Sequence, residues 1–379
     1  MALRRGGMRI LALDIGTGTQ DILLFDSSRT IENCVKMVMP SPTVIAGDRI
    51  RRATKAGKPL ALTGVNMGGG PVTQAMTDHV RAGLPVYATV EAATTFDDDM
   101  EVVESMGVSL LSADEVEGLK GAARVELRDL DLDMVHRSLD SFEAGSEWDA
   151  VAVAVFDHGD SPPGYSDRRF RFDHLRRQLE QGDRRLTEFS YLRHEVPDYM
   201  TRMVAVEQCA GTGVPLLLMD TAEAAVLGAL EDQRVASARC KVVANLGNEH
   251  TLAFHLHDST IQGLFEHHTG ELTLQKLETY LRGLTRGELD TQQIWEDQGH
   301  GAITLDGGED IGFLSATGPL RHMLEGSTLD PYFAVPHGDM MLAGAFGLVR
   351  AWAEKHEPWR EEIGYALRAG VGGAVHGHH

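Results

Sequence analysis

The stretch LALDIGTGTQDILLFD, Leu11 to Asp26, decides how the rest of the chain is read. An apolar run ends in a carboxylate, Asp14; a turn of Gly16, Thr17, Gly18 and Thr19 follows; a second apolar run starts at Ile22. Glycine permits a sharp reversal and both flanks are apolar, so the parse is strand, turn, strand. In such a hairpin the backbone N–H groups and the two Thr hydroxyls can face an anion, with Asp14 available to magnesium. The chain has no G-x-x-x-x-G-K-[ST], and these glycines lead into a strand rather than a helix. That excludes a P-loop and argues against a dinucleotide fold. An ordinary hairpin with glycine in its turn is the plain alternative.

A second hairpin of the same design lies at residues 242–256, VVANLGNEHTLAFHL, with Gly247, Asn248, His250 and Thr251 in or beside its turn. Between the two, LLLMDTAEAAVLGAL (216–230) reads as a buried strand ending in Asp220, then a small-residue helix. A carboxylate there is held by the helix dipole and free N–H groups, so Asp220 reads as a helix cap, as a catalytic or magnesium-linked carboxylate, or as both. Further on, GFLSATGPL (312–320) and GDMMLAGAFGLV (338–349) pair a turn at Gly318 with an Ala/Gly helix that allows close backbone approach.

Elsewhere strands alternate with helices: strands at 9–13, 21–25, 31–37, 59–63, 84–89 and 150–156, helices at 42–57, 71–81 and 131–142. This is α/β patterning. AVAVAVF, from Ala150, is apolar throughout and reads as a central strand buried on both faces. Gly68-Gly69-Gly70, between a strand and a helix, reads as a tight turn or an anion nest. Residues 157–200 carry eight arginines interleaved with Phe170, Phe172 and Tyr191, a basic patch expected as an insert.

Composition narrows the class. At 379 residues two domains are the default. A net charge of −21 disfavours broad binding to nucleic acid or to an anionic membrane. Cys34, Cys209 and Cys240 form no C-x-x-C pair, which fits free thiols in a reducing cytoplasm. No run of about 18 apolar residues is present, and the start lacks the apolar segment of a signal peptide.

The two hairpins, the Asp220 strand and helix and the 312–349 segment, in this order, resemble the phosphate and adenosine motifs of the superfamily of actin, Hsp70-type chaperones and sugar kinases. The resemblance spans nearly the whole chain. It implies an α/β, two-lobed actin-like ATPase (ribonuclease H-like) fold with a nucleotide cleft between lobes. It also implies an N-terminal lobe over 1–235, a C-terminal lobe over 236–365 and a flexible tail over 366–379. The implied cofactors are ATP and Mg. Asp14 holds magnesium, Gly16–Thr19 and Gly247–Thr251 bind phosphates, Gly318 sits near the adenosine, and Asp220 activates the attacking oxygen. The second motif departs from the family pattern: Asn245 stands where Asp is common, and His250 where a small hydroxyl residue is common.

The blocks FDHGDSPPGYSDRRFRF (156–172) and GLFEHHTGEL (263–272) resemble those of a prokaryotic family whose members carry the label "putative pyruvate formate-lyase activating enzyme". A radical activase needs three closely spaced cysteines for its iron–sulfur cluster, and this chain has no such set. Three functions follow: a kinase or ATPase acting on a small-molecule acceptor, an ATP-driven activator of a protein partner, or a non-catalytic or metal-binding protein. The metal-capable residues are Asp157, His158, His250, Glu266, His267 and His268. Adjacent strand residues face opposite ways, so His267 and His268 cannot both reach one metal.

Overall fold

The structure, a computed structural model, describes residues 7–369. The first hairpin is β1 (Arg9–Ile15) and β2 (Thr19–Asp26), joined by β3 (Val35–Pro40). The expected third strand starts late because Ile31–Asn33 form a 3-10 turn. A separate parallel sheet follows, of β4 (Leu60–Gly64), β5 (Val86–Ala88), β6 (Val108–Leu110) and β7 (Ala123–Leu127), in the order β6-β5-β4-β7. The chain then returns to the first sheet with β8 (Ala150–Val155), β9 (Ser190–Leu192) and β10 (Leu216–Met219). The second large sheet holds β11 (Cys240–Leu246), β12 (His250–His257), β13 (Thr260–His268), β14 (Gly301–Thr304), β15 (Leu314–Thr317) and β16 (Tyr332–Phe333).

The two large sheets run β3-β2-β1-β8-β10-β9 and β14-β13-β12-β11-β15-β16. Without the edge strands β9 and β14 they are the same sheet. In each, a three-strand antiparallel meander is continued by two strands parallel to the first. This repeated plan makes the molecule a two-lobed α/β protein of the actin-like type. Every residue of β8 is buried, as a central parallel strand with helices on both faces requires.

The lobes share one core. Helices Thr221–Ala229 and Ala343–Lys355 pack between them, and a methyl group at Gly228 or Gly347 would overlap the backbone of the other helix at Ala343 or Ala224. Only glycine allows so close a crossing.

Two expectations change. The Arg-rich segment 157–200 is built into the first lobe, as helix Asp167–Gln181 and edge strand β9. The addition to the repeated plan is the β4–β7 sheet, which has its own core around Ile50, Leu60, Leu62 and Met76. Local patterning identifies a strand but not the sheet it joins. Helix Arg360–Ala369 carries the chain into the stretch expected as a tail, and residues 370–379 lie outside the described residues. Among the described residues no helix is long and apolar enough to cross a membrane.

Candidate functional site

The two hairpin turns have the same internal hydrogen bond. The Gly16 N–H donates to the Thr19 carbonyl and the Gly247 N–H to the His250 carbonyl, each at 2.9 Å. The first turn is braced from outside, where the Ser41 hydroxyl donates to the Thr17 carbonyl at 2.7 Å. The turns meet across the lobes: a methyl group at Gly18 would stand 2.6 Å from the Asn248 side chain. Together they line a cleft, part of it open to solvent, whose walls include Asp14, Thr221, Gly318 and Gly344. At Gly318 the backbone has φ +94°, and a side chain would strike the Leu246 carbonyl, so glycine is required.

The carboxylates differ in role. Asp14 is the next-to-last residue of β1 and lies opposite Asp21 of β2 in register. Antiparallel partners share a face, so two like charges meet there, an arrangement that destabilises a sheet. Burial pushes the Asp14 carboxyl up to about 7, against the Thr221 hydroxyl that donates to it. Burial, and then the charge of Asp14, pushes Asp21 up to about 8. Asp21 Oδ1 is buried with no hydrogen-bond partner. Asp14 also rests against Gly344, where any Cβ would overlap its carboxylate.

Asp220 is already engaged. It caps helix Thr221–Ala229 through the Ala222 N–H at 3.3 Å and accepts from Arg171 at 2.7 Å. Burial opposes its ionisation, but Arg171 and these hydrogen bonds hold its carboxyl below the usual range. It is buried, with Thr221 and Ala222 beside it on the cleft wall. Thr251 is displaced from the expected phosphate site. It points away from the turn, fully buried, with its hydroxyl 3.0 Å from that of Thr269, because strand alternation sets it opposite His250.

Arg171 is the centre of a buried ionic group. Its Nε donates to Glu266 at 2.9 Å and its terminal nitrogen to Asp220 and to the Asp157 carbonyl, while its guanidinium lies 4.2 Å from the Phe156 ring centroid. It therefore ties Asp220 of the first lobe to β13 of the second.

The histidines divide. His267 bonds to Asp297 at 3.2 Å. His250 stacks flat on Phe156, with centroids 4.2 Å apart, and stands beside His158, His268 and His300. Burial keeps these four imidazoles neutral, with His158 lowered to about 3. Asp157 turns its carboxylate to the Met203 and Gly159 N–H groups and not to the histidines. The Gly68 N–H donates to Asp129, whose carboxylate also pairs with Arg202, so the glycine turn holds an internal anion.

Sequence reading missed Asp21 and His300. Asp21 was detectable, since pairing the first hairpin around its turn sets it opposite Asp14. His300 lies between two glycines with no motif around it.

A family model described as "Putative pyruvate format-lyase activating enzyme (DUF1786)" matches residues 67–323. A search of curated proteins finds no match. Among solved structures, a ROK family transcriptional regulator, homolog of the E. coli MLC protein, is 9% identical with TM-score 0.26. That likeness covers 67% of this chain and 38% of the other, so the chain spans under two fifths of that relative. Ethanolamine utilization protein EutJ from Carboxydothermus hydrogenoformans is 13% identical, covering 91% and 90%, with TM-score 0.32. A ROK hexokinase from Thermus thermophilus is 14% identical, covering 90% and 97%, with TM-score 0.30. At these scores the likenesses carry no argument, and the fold rests on the strand orders.

Proposed function

The chain belongs to the family of that description, and we propose that its interlobe cleft binds Mg–ATP and serves an ATP-dependent phosphotransferase or ATPase. The observation that carries this reading is the pair of matched turns abutting across the cleft, with the opposed Asp14 and Asp21 at their root. Two facing carboxylates, one with an orphaned buried oxygen, fit a hard divalent cation that takes oxygen ligands. Such an ion supplies charge neutralisation at the phosphates. The turn at Gly16–Thr19 and the turn at Gly247–Asn248 offer backbone N–H groups to phosphate oxygens. Gly318, on the cleft wall, stands at the nucleoside end, and Gly344 gives the Asp14 carboxylate its room. Asn245 adds no charge and serves as a neutral hydrogen-bonding group.

Asp220 enters this reading as the cap and Arg171 partner that holds Thr221 against Asp14. A hollow of about 2930 Å³, open to solvent, adjoins the first turn at Gly16 and Thr17 and leaves room for an acceptor. A radical activase needs closely spaced cysteines for its cluster, and among the described residues no two cysteines fall in one metal-capable group.

The test is thermal stability with ATP, ADP and a non-hydrolysable analogue, each with and without magnesium, on the wild type and Asp14→Ala. A ligand that binds only the folded state raises Tm. A magnesium-dependent rise that Asp14→Ala loses is expected. No rise at saturating nucleotide refutes the reading.

A further inference from the structure

One cluster in the cleft reaches beyond the phosphate turns and shares only His250 with the second. His158 follows β8 in the first lobe, while His250 opens β12 and His300 directly precedes β14 in the second. One ring nitrogen from each lies within 4.8 Å of the other two. His158 and His300 stack at 11°, with their Nε2 atoms 3.2 Å apart. His250 stands across both, at 80° and 83°. Its Nε2 is buried without a hydrogen-bond partner, and so is Nδ1 of His300.

An orphaned buried nitrogen such as His250 Nε2 is costly in a purely structural cluster; a metal held by Nε2 of His300 does not relieve that residue's Nδ1. Around a tetrahedral zinc ion with Zn–N of about 2.0–2.1 Å, neighbouring nitrogens stand about 3.3 Å apart. The His158–His300 separation of 3.2 Å is already that edge. We propose that His158, His250 and His300 together bind a divalent transition metal of the zinc class, with the fourth coordination position open to the large hollow. Imidazole donors select such ions over magnesium, which prefers oxygen. His158 and His250 both line the hollow, so water or an anionic oxygen can reach the fourth position. Glu266 Oε1, buried without a hydrogen-bond partner, lies 3.6 Å from His300 Nε2, while its other oxygen accepts from Arg171. Because the ligands come from both lobes, the ion fastens one lobe to the other beside the turns.

The test is a cobalt(II) titration of the chelator-treated full-length chain without nucleotide, so its outcome is independent of the Mg–ATP reading. His376, His378 and His379 are replaced by alanine to silence the C-terminal histidines. One equivalent giving the visible ligand-field bands of tetrahedral cobalt is expected. His158→Gln and His300→Gln should each weaken binding by more than the roughly 10–100-fold that loss of an outer-shell partner costs. Cys240→Ser should leave the spectrum unchanged; Cys240 lies with His255 and Glu309 in a second metal-capable group. No tetrahedral spectrum in the wild type, undiminished affinity in the histidine variants, or loss of the spectrum in Cys240→Ser overturns the proposal. Should His300→Gln fail to fold, the less buried His158→Gln decides.

Discussion

Replacing Asp21 by Asn tests what it costs to keep this buried carboxylate beside Asp14 in the cation-free protein. Asp21 is pushed up from 3.8 to about 8, by burial first and by Asp14 second. A raised carboxyl favours the protonated folded state. Below about pH 4 the penalty is absent; it grows as pH rises and is complete above about pH 8. At 1.36 kcal/mol per pH unit that interval corresponds to about 6 kcal/mol, an upper bound because the pair titrates jointly. With an unfolding entropy of about 2.1 cal/mol/K per residue over this length, it is equivalent to about 7 °C in Tm. In chelator, wild-type Tm should fall between pH 5 and 9 more steeply than that of Asp21→Asn. The variant should then be the more stable protein at pH 9 by several degrees. The same variant should lose magnesium-dependent stabilisation by ATP. Melting curves recorded across that range decide the matter: parallel pH profiles, or an Asp21→Asn protein less stable than wild type at pH 9, would refute the reasoning.

Three other outcomes follow from the same geometry. Arg171→Met leaves Asp220, Glu223 and Glu266 without their buried cation, and chemical denaturation should show a loss of about 3–5 kcal/mol; a loss under about 1 kcal/mol contradicts the ionic tie. Gly228→Ala forces a methyl group onto the Ala343 carbonyl and should cost about 1–3 kcal/mol or more. Its effect should fail to add to that of Gly347→Ala, since the two glycines face each other, and additive losses would speak against that crossing. Thr221→Val removes the hydroxyl that lowers the Asp14 carboxyl, so Mg–ATP binding should weaken at pH 7 and recover at pH 9; calorimetry showing equal loss at both pH values would exclude proton competition.

The sequence by itself determined the hairpins, the central strand and the order of the cleft-forming segments. Those features depend on local rules: a turn such as Gly16–Thr19 closes on its own backbone, and the unbroken apolar run of β8 declares burial on both faces. Helix Thr221–Ala229 and its cap at Asp220 were legible for the same reason. The tertiary structure alone decided what the charged groups do. Asp220 meets Arg171 49 residues away, and Arg171 meets Glu266 95 residues away, so an ion pair joins elements that the sequence keeps apart. Thr251 and His250 were both expected at the site, and pairing turned His250 to the cleft and Thr251 into the core. The β4–β7 strands look locally like the others, and only packing assigns them to their own sheet. His158, His250 and His300 come from two lobes and three strand ends. Backbone conformation is encoded over a few neighbouring residues, whereas the company a side chain keeps in the cleft is set when the two lobes close on a shared core.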